Sequence, residues 1–317
     1  MACTHPLPNT SVIAPQKFYI FGSGISFSIS PTIHNAGFAH HNLPHTYTIV
    51  ESANIDDVSH LIQSPDFGGA SVTMPHKLQV GKFCDDQTET ARAIGAINTL
   101  IVKAGESETD NRSGKRVLIG DNTDWSGLYA IINKYKETTA QPLGAPKTGL
   151  VIGAGGASRA ALYALYRAGV ERIYLANRTL SVAEKVRDDF SGLFHISVLA
   201  LSDLSDLTQP GSSAPEVIIG TVPADTTAEQ QFERLFTGQE LGFCIDMSYK
   251  PRQTPLLTVA GRHKGWKTVT GVEVLLAQAF DQYKLWTGLY APREEMMKAV
   301  LAKEGTIGEE KDIMSML

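Results

Sequence analysis

TGLVIGAGGASRAALYALYRAGVERIYLANRT, residues 148–179, reads as a strand, a glycine turn, a helix and a second strand. The apolar run Gly149–Ile152 stops at Gly153-Ala154-Gly155-Gly156-Ala157-Ser158-Arg159. Glycine permits a tight turn there, and bare backbone lets a pyrophosphate approach the N-terminus of the helix that follows. That helix is expected over Gly155–Ala168 and the next strand over Arg172–Asn177. A lone G-x-G is weak, and Ser158 replaces the third small residue of the fingerprint. The strand before and the helix after make it a dinucleotide-binding βαβ unit. The alternative is a turn that merely packs a helix on a sheet.

About 20 residues on, an NAD site usually carries an acid for the ribose 2′-hydroxyl. This chain has Asn177-Arg178-Thr179, with Arg159 near the loop. An acid would repel a 2′-phosphate, whereas a guanidinium binds it bidentately. The expected cofactor is therefore NADP rather than NAD, with Arg178 aided by Arg159. A solvated surface arginine is the plain alternative.

Outward from this unit, strand and helix signals alternate along the chain, as in an α/β protein with a largely parallel sheet. Strands are expected at Lys17–Gly22, His45–Val50, Gly69–Thr73, Asn98–Val102, Val117–Gly120, Val217–Gly220 and Phe243–Met247. Helices are expected at Pro31–His41 after a Ser30 cap, Ile55–Gln63 after an Asn54 cap, and from Pro75 to Lys82. Others are expected at Asp124–Tyr135, Val182–Phe190, Pro255–Lys264 and Val274–Thr287. Residues 103–116 form a polar excursion, and 137–147 a Thr/Pro/Gly loop before the second unit.

The chain has 317 residues, enough for two domains. It is 43% hydrophobic, which supplies a core and excludes wholesale disorder. The net charge of −5 argues against a nucleic-acid-binding face. No run approaches the ~20 apolar residues of a membrane span. Residues 1–15 show neither a basic nor an apolar signal-peptide region, so a cytoplasmic setting is expected. Cys3, Cys84 and Cys244 are too scattered for a metal or disulfide framework, and no metal is expected.

Polar clusters in the first unit fall at strand ends: Ser28-Ile29-Ser30-Pro31, Ser71-Val72-Thr73-Met74-Pro75-His76-Lys77, Gly95 to Thr99, and Gly120-Asp121-Asn122-Thr123-Asp124. Such clusters suit a small hydroxylated or carboxylated ligand. Taken singly, the serines also fit helix caps, Lys77 a surface charge, Asn98 a turn and Asp124 an N-cap. His76 is expected to be structural or solvent-facing.

Together these segments resemble the shikimate/quinate dehydrogenase family. Its S-x-S-P-x-x-H-N, V-T-x-P-x-K, G-A-x-N-T, G-x-N-T-D, G-A-G-G-A and N-R-T motifs occur here in order. The likeness continues through Asp246 to Pro251, Gly271 to Gln278 and Trp286-Thr287-Gly288, spanning roughly residues 17 to 290. FGSGIS, IGTVPAD and Gly271 to Leu275 look most like fungal members, among them the dehydrogenase domain of the fused arom polypeptide.

The resemblance implies an N-terminal α/β catalytic domain completed by C-terminal helices (1–123 and 272–317), with a Rossmann-type NADP-binding domain (124–271) inserted. It implies reversible hydride transfer between NADP(H) and the ring carbon of 3-dehydroshikimate. Lys77 and Asp124 match the catalytic pair. Ser28, Ser30, Thr73, Asn98, Tyr249 and Gln278 match substrate-binding positions, and Thr221 and Gly271 join the cofactor residues. Ketone reduction puts charge on oxygen, and a lysine protonated at neutral pH supplies the proton, kept charged and aimed by a carboxylate. Two departures stand out: Ser71 replaces the usual Asn, and Ile219-Gly220-Thr221-Val222-Pro223 replaces the usual Asn-x-Thr, Pro223 removing a donor.

A quinate or dual-activity dehydrogenase is the rival in the same class, and the serine pair mildly favours shikimate. A non-catalytic metabolite sensor is the rival from another class, weakened by the presence of both Lys77 and Asp124. The expected partner is a small molecule, not nucleic acid or membrane, in a monomer or homodimer.

Overall fold

The computed structural model describes residues 13–104, 116–138, 146–209, 214–237 and 241–304. Cys3, residues 1–12 of the N-terminal segment, and most of the expected 103–116 and 137–147 loops lie outside the described residues. The first unit runs β1 (Lys17–Gly22), α1 (Ser30–His40), β2 (Thr46–Glu51), α2 (Ser59–Ile62) and β3 (Phe67–Val72). It continues with β4 (Asp86–Gln87), α3 (Glu89–Ile94), β5 (Thr99–Ala104) and β6 (Arg116–Asp121). The long α4 (Asp124–Thr138) leads to β7 (Thr148–Ile152), α5 (Gly156–Arg167), β8 (Arg172–Asn177), α6 (Leu180–Phe190) and β9 (Ile196–Ala200). Next come β10 (Val217–Gly220), β11 (Gly242–Asp246), α7 (Pro255–Gly261) and β12 (Trp266–Val269). Finally α8 (Gly271–Thr287) and α9 (Arg293–Glu304) return to the first unit.

Two six-stranded sheets result. The second has the order β9-β8-β7-β10-β11-β12, with every pairing parallel. In chain order that is 3-2-1-4-5-6, the doubly wound nucleotide-binding arrangement, and its direction reverses between β7 and β10. Strands β7, β10 and β11 are buried at every position, as a parallel sheet covered on both faces requires. The first sheet, β2-β1-β3-β5-β6-β4, is mixed: β1 pairs parallel with β2 and β3, while β5 runs antiparallel to β3 and β6.

Phe18, Ile20, Ile33 and Phe38 of the first unit share one core with Val272, Leu276, Phe280, Tyr283 and Met296 of α8 and α9. The N-terminal unit is thus completed by the end of the chain. Helix α4 packs along α8 and also gives Leu128, Ile131 and Ile132 to the core beneath the second sheet.

Several local expectations change. Ser30 is not a cap: Ile29 holds that position without a side-chain hydrogen bond, and Ser30 begins the helix. Asn54 does cap, its side chain accepting from Asp56 N–H at 3.1 Å, but the turn it starts is 3₁₀ over Ile55–Val58 before α2. Pro75 to Lys82 folds as two 3₁₀ turns, His76–Leu78 and Val80–Phe83, because Gly81 and the short apolar spacing do not sustain an α-helix. Strands β4, β9 and β12 and helices α3 and α9 were not expected, each having too brief or too polar a pattern.

Candidate active site

Strand β3 ends at Val72, and the 3₁₀ turn after it carries Lys77. Strand β6 ends at Asp121, and α4 begins at Asp124. The two ends meet: Lys77 Nζ donates to Asp124 Oδ2 at 2.5 Å, both side chains being largely shielded. Asp124 Oδ1 accepts from Asn98 Nδ2 at 2.9 Å, and Asp124 N–H donates to Asn122 Oδ1 at 3.0 Å. Each carboxylate oxygen is therefore held by one donor, and the Asp124 main chain is tied separately to Asn122. The Lys77 main-chain carbonyl accepts from Ile97 N–H at 2.8 Å, which pins the other end of the lysine.

Asn98 organises this floor. Its amide also reaches Thr123 Oγ1 (3.1 Å) and Gln278 Oε1 (3.2 Å), and its Oδ1 accepts from Thr123 N–H at 2.7 Å. Gln278 comes from α8 and accepts from Thr123 Oγ1 at 3.0 Å. Ser28 and Ser30 are buried side by side, Oγ to Oγ 3.2 Å, with Ser30 N–H donating to Ser28 Oγ. Thr73 is half-buried, and its hydroxyl has no partner among the described residues. Tyr249, in the loop after β11, meets Phe27 edge-on at 5.6 Å, and Lys250 Nζ lies 4.2 Å from the centre of the same ring. Phe27 precedes Ser28, so the second unit closes over the serine end of the cleft.

A second layer joins Ser71 to Tyr47 and Gln282, neither of which was singled out from sequence. Tyr47 donates to Ser71 Oγ at 2.6 Å, and Ser71 donates to Gln282 Oε1 at 2.9 Å. Gln282 Nε2 donates to Thr99 Oγ1 at 2.9 Å. Burial pushes the Tyr47 phenol well above its usual range, against hydrogen bonding with Ser71 and Ser30, so it stays a protonated donor. Ser71 is thus a relay between strand and helix. Gln282 was legible as the residue one turn beyond Gln278, whereas nothing in the alternating β2 marks Tyr47. His34 is sealed between Tyr47 (4.6 Å) and Trp286 (4.9 Å), and burial lowers it to about 3, so it is neutral. His76 is buried and bonds Ser52 O at 2.8 Å, a structural role.

On the cofactor side, Gly153 has φ +111°, a conformation that glycine adopts without strain. A Cβ on Gly155 would meet nothing within 4 Å, so this backbone faces open space where a pyrophosphate can approach. Ser158, at the third fingerprint position, accepts from Gly155 N–H at 3.0 Å and bonds Thr221 Oγ1 at 2.7 Å. Thr221 also donates to Ile152 O at 2.7 Å, tying the β7 and β10 loops across the point of reversal. Ala154 completes the turn, and Ala157 lies in the first turn of α5.

Asn177 Nδ2 donates to Thr179 O at 2.8 Å, shaping the loop after β8. Arg178 is exposed and has no hydrogen bond or ion pair among the described residues. Asn177 stands where an NAD site carries an acid, and the exposed guanidinium beside it fits a 2′-phosphate.

One residue goes elsewhere. Arg159 is buried, paired with Asp189 and directed at Ile94 O at the end of α3, so it braces the two units rather than joining Arg178. Gly271 opens α8 against the loop after β11, where a Cβ would lie 2.6 Å from Met247 O, so only its bare main chain is offered there. Among the described residues no group of three or more His, Cys, Asp or Glu could hold a metal, and no helix is long and apolar enough to cross a membrane.

Comparison with known proteins agrees with this geometry. Residues 20–100 match the shikimate dehydrogenase substrate-binding domain, 138–253 the shikimate/quinate 5-dehydrogenase model, and 271–301 the shikimate 5′-dehydrogenase C-terminal domain. The pentafunctional AROM polypeptide of Schizosaccharomyces pombe is 39% identical over 299 residues, covering 91% of this chain and 18% of that protein. The quinate repressor protein of Emericella nidulans is 34% identical, over 98% of this chain and 38% of its own length. This chain therefore spans about a fifth to two-fifths of these relatives. The shikimate dehydrogenase of Mycobacterium tuberculosis superposes with a TM-score of 0.74 at 29% identity, over 92% of this chain and 100% of that one. Substrate unit, nucleotide-binding sheet and returning helices each have their counterpart, and the chain belongs to the shikimate/quinate dehydrogenase family.

Proposed function

We propose that this chain catalyses the reversible NADP-dependent reduction of 3-dehydroshikimate to shikimate. The observation that carries the reading is the Lys77–Asp124 pair, held at 2.5 Å in the cleft between the two sheets. The cofactor, when bound, supplies or accepts the hydride. Gly153, Ala154, Gly155 and Ser158 of the glycine turn, with the Asn177–Thr179 loop, are the residues that would hold it.

The chain's own groups do the rest. Lys77 delivers its proton to the ketone oxygen as charge develops there, and takes a proton back in alcohol oxidation. Asp124 aims the ammonium and offers its other oxygen to a ring hydroxyl. Asn98, Thr73 and Gln278 orient that ring face. Ser28 and Ser30 donate to the carboxylate at the far end, and Tyr249 flanks it. Two donors for one planar carboxylate leave no evident partner for quinate's extra hydroxyl, so shikimate is the favoured substrate.

The test is NADPH absorbance with shikimate and quinate, each assayed against NADP and NAD. Turnover of shikimate with NADP as the best pair is expected. Faster quinate turnover would transfer the assignment to a quinate dehydrogenase. Tight metabolite binding without turnover of either would make the chain a sensor.

A further inference from the structure

The dinucleotide fingerprint has three small positions, here Gly153, Gly155 and Ser158. Gly156 is a fourth, and the fingerprint does not ask for it. It opens α5 and has no positive φ, so its backbone suits any residue and alanine would be the better helix former. Something else must exclude a side chain. A Cβ on Gly156 would stand 2.8 Å from Lys77 Cβ and 3.3 Å from Lys77 Cδ, and the three nearest atoms all belong to Lys77. Gly155 is the contrast, because a Cβ there meets nothing. Adjacent glycines thus face different things, one open space and the other the lysine stem.

The stem has little room to yield. Its carbonyl is held by Ile97 N–H and its Nζ by Asp124. Reaching ordinary contact at 3.4 Å would take a shift of about 0.6 Å by the stem or by the loop. Either movement takes the ammonium out of register with the reacting oxygen.

We propose that Gly156 is a positioning residue for proton transfer: its bare Cα is the wall against which the Lys77 stem is set when the two units close. This rests on the reading of Lys77 as the proton donor. Gly156 touches neither reacting atom and acts through the lysine.

The experiment compares Gly156→Ala, Gly155→Ala and Lys77→Ala in the full chain. For Gly156→Ala, kcat should fall about 10- to 100-fold, the scale of a misplacement near 1 Å. Its KM for shikimate and Kd for NADP, measured by titration, should stay within about threefold of the parent. Its Tm should not rise, because the clash with the Lys77 stem offsets the better helix propensity of alanine, but the chain should still fold. Gly155→Ala should show the opposite split, with weakened NADP binding and a smaller loss of kcat at saturation.

Near-parent kcat in Gly156→Ala overturns the proposal, as does a loss confined to NADP affinity. Failure of Gly156→Ala to fold also overturns it, since the proposal puts the clash on the Lys77 stem, to which the three nearest atoms all belong, and not on the packing of the fold. If Lys77→Ala keeps its kcat, the underlying reading of the lysine fails instead. If Lys77→Ala is inactive while Gly156→Ala is not impaired, the inference alone fails.

Discussion

Asn98 and Asp124 form one unit: the Asn98 amide holds Asp124 Oδ1 at 2.9 Å and leaves Oδ2 to Lys77. The aspartate of this pair cannot swing away from the lysine without breaking a buried hydrogen bond.

That arrangement makes the first prediction asymmetric. Lys77→Ala should lower kcat by about 100- to 10,000-fold with little change in KM, because proton transfer is needed mainly in the transition state. Asp124→Asn should lower both kcat and shikimate affinity, since it misdirects the lysine and loses a ring contact. Steady-state kinetics on both variants check this, and near-parent turnover of Lys77→Ala would remove it from the mechanism.

At the other end of the cleft, Ser28→Ala or Ser30→Ala should raise KM for shikimate about 10-fold or more, with a smaller effect on kcat. Each hydroxyl donates to a carboxylate whose charge hardly changes during the reaction, and such bonds are worth roughly 1.5–3 kcal/mol. Ser30 begins α1 without capping it, so Tm should move little. Normal binding with a lowered Tm would return the serines to a structural role.

Arg178 is exposed and unpaired among the described residues, so its removal should disturb nothing but the ligand. Arg178→Ala should cost about 10- to 150-fold in kcat/KM for NADP and leave NAD nearly unchanged. Added salt should weaken NADP more than NAD. Arg159→Ala should instead lower Tm, because it removes a buried arginine paired with Asp189 and directed at Ile94 O. Equal losses for both cofactors in Arg178→Ala would contradict the phosphate contact.

Asp246, at the end of β11, is raised to about 6 by burial, opposed by hydrogen bonds from Thr254 and Ser248 N–H. The folded chain holds this proton more tightly than the unfolded one. Its ionisation therefore costs stability progressively as pH rises from about 4 to 6, and the cost is constant above that. At ~1.4 kcal/mol per unit, the full effect is on the order of 2–3 kcal/mol. Asp246→Asn cannot ionise, so its stability relative to the parent should increase across that window in denaturant titrations. A difference independent of pH would show that Asp246 ionises normally.

Much of the architecture was legible because its signals are local. The strand, glycine turn and helix around Gly153 lie within a few residues of each other, and Asn177-Arg178 follows at the distance a βαβ unit dictates. What stayed hidden depends on distant partners. The Tyr47–Ser71–Gln282 relay joins positions 24 and 211 apart, and although Ser71 stands out as a departure, nothing in β2 marks Tyr47 as its partner. Arg159 looked like a phosphate ligand from its place beside the loop, but it is buried and committed to Asp189. The run from Pro75 had a helical opening and no helical continuation, so it became the short turns that present Lys77.

The core shared by α1, β1 and α8 has a consequence for synthesis. Phe18, Ile33 and Phe38 leave the ribosome more than 230 residues before Val272, Leu276 and Tyr283, which cover them. The second sheet, continuous from Thr148 to Val269, can be assembled while the first still waits. Until translation reaches α8, the nascent N-terminal unit carries an uncovered apolar face, the kind of surface that chaperones bind. A chain ending before Gly271 would keep every residue of the glycine turn and still lack a finished substrate half.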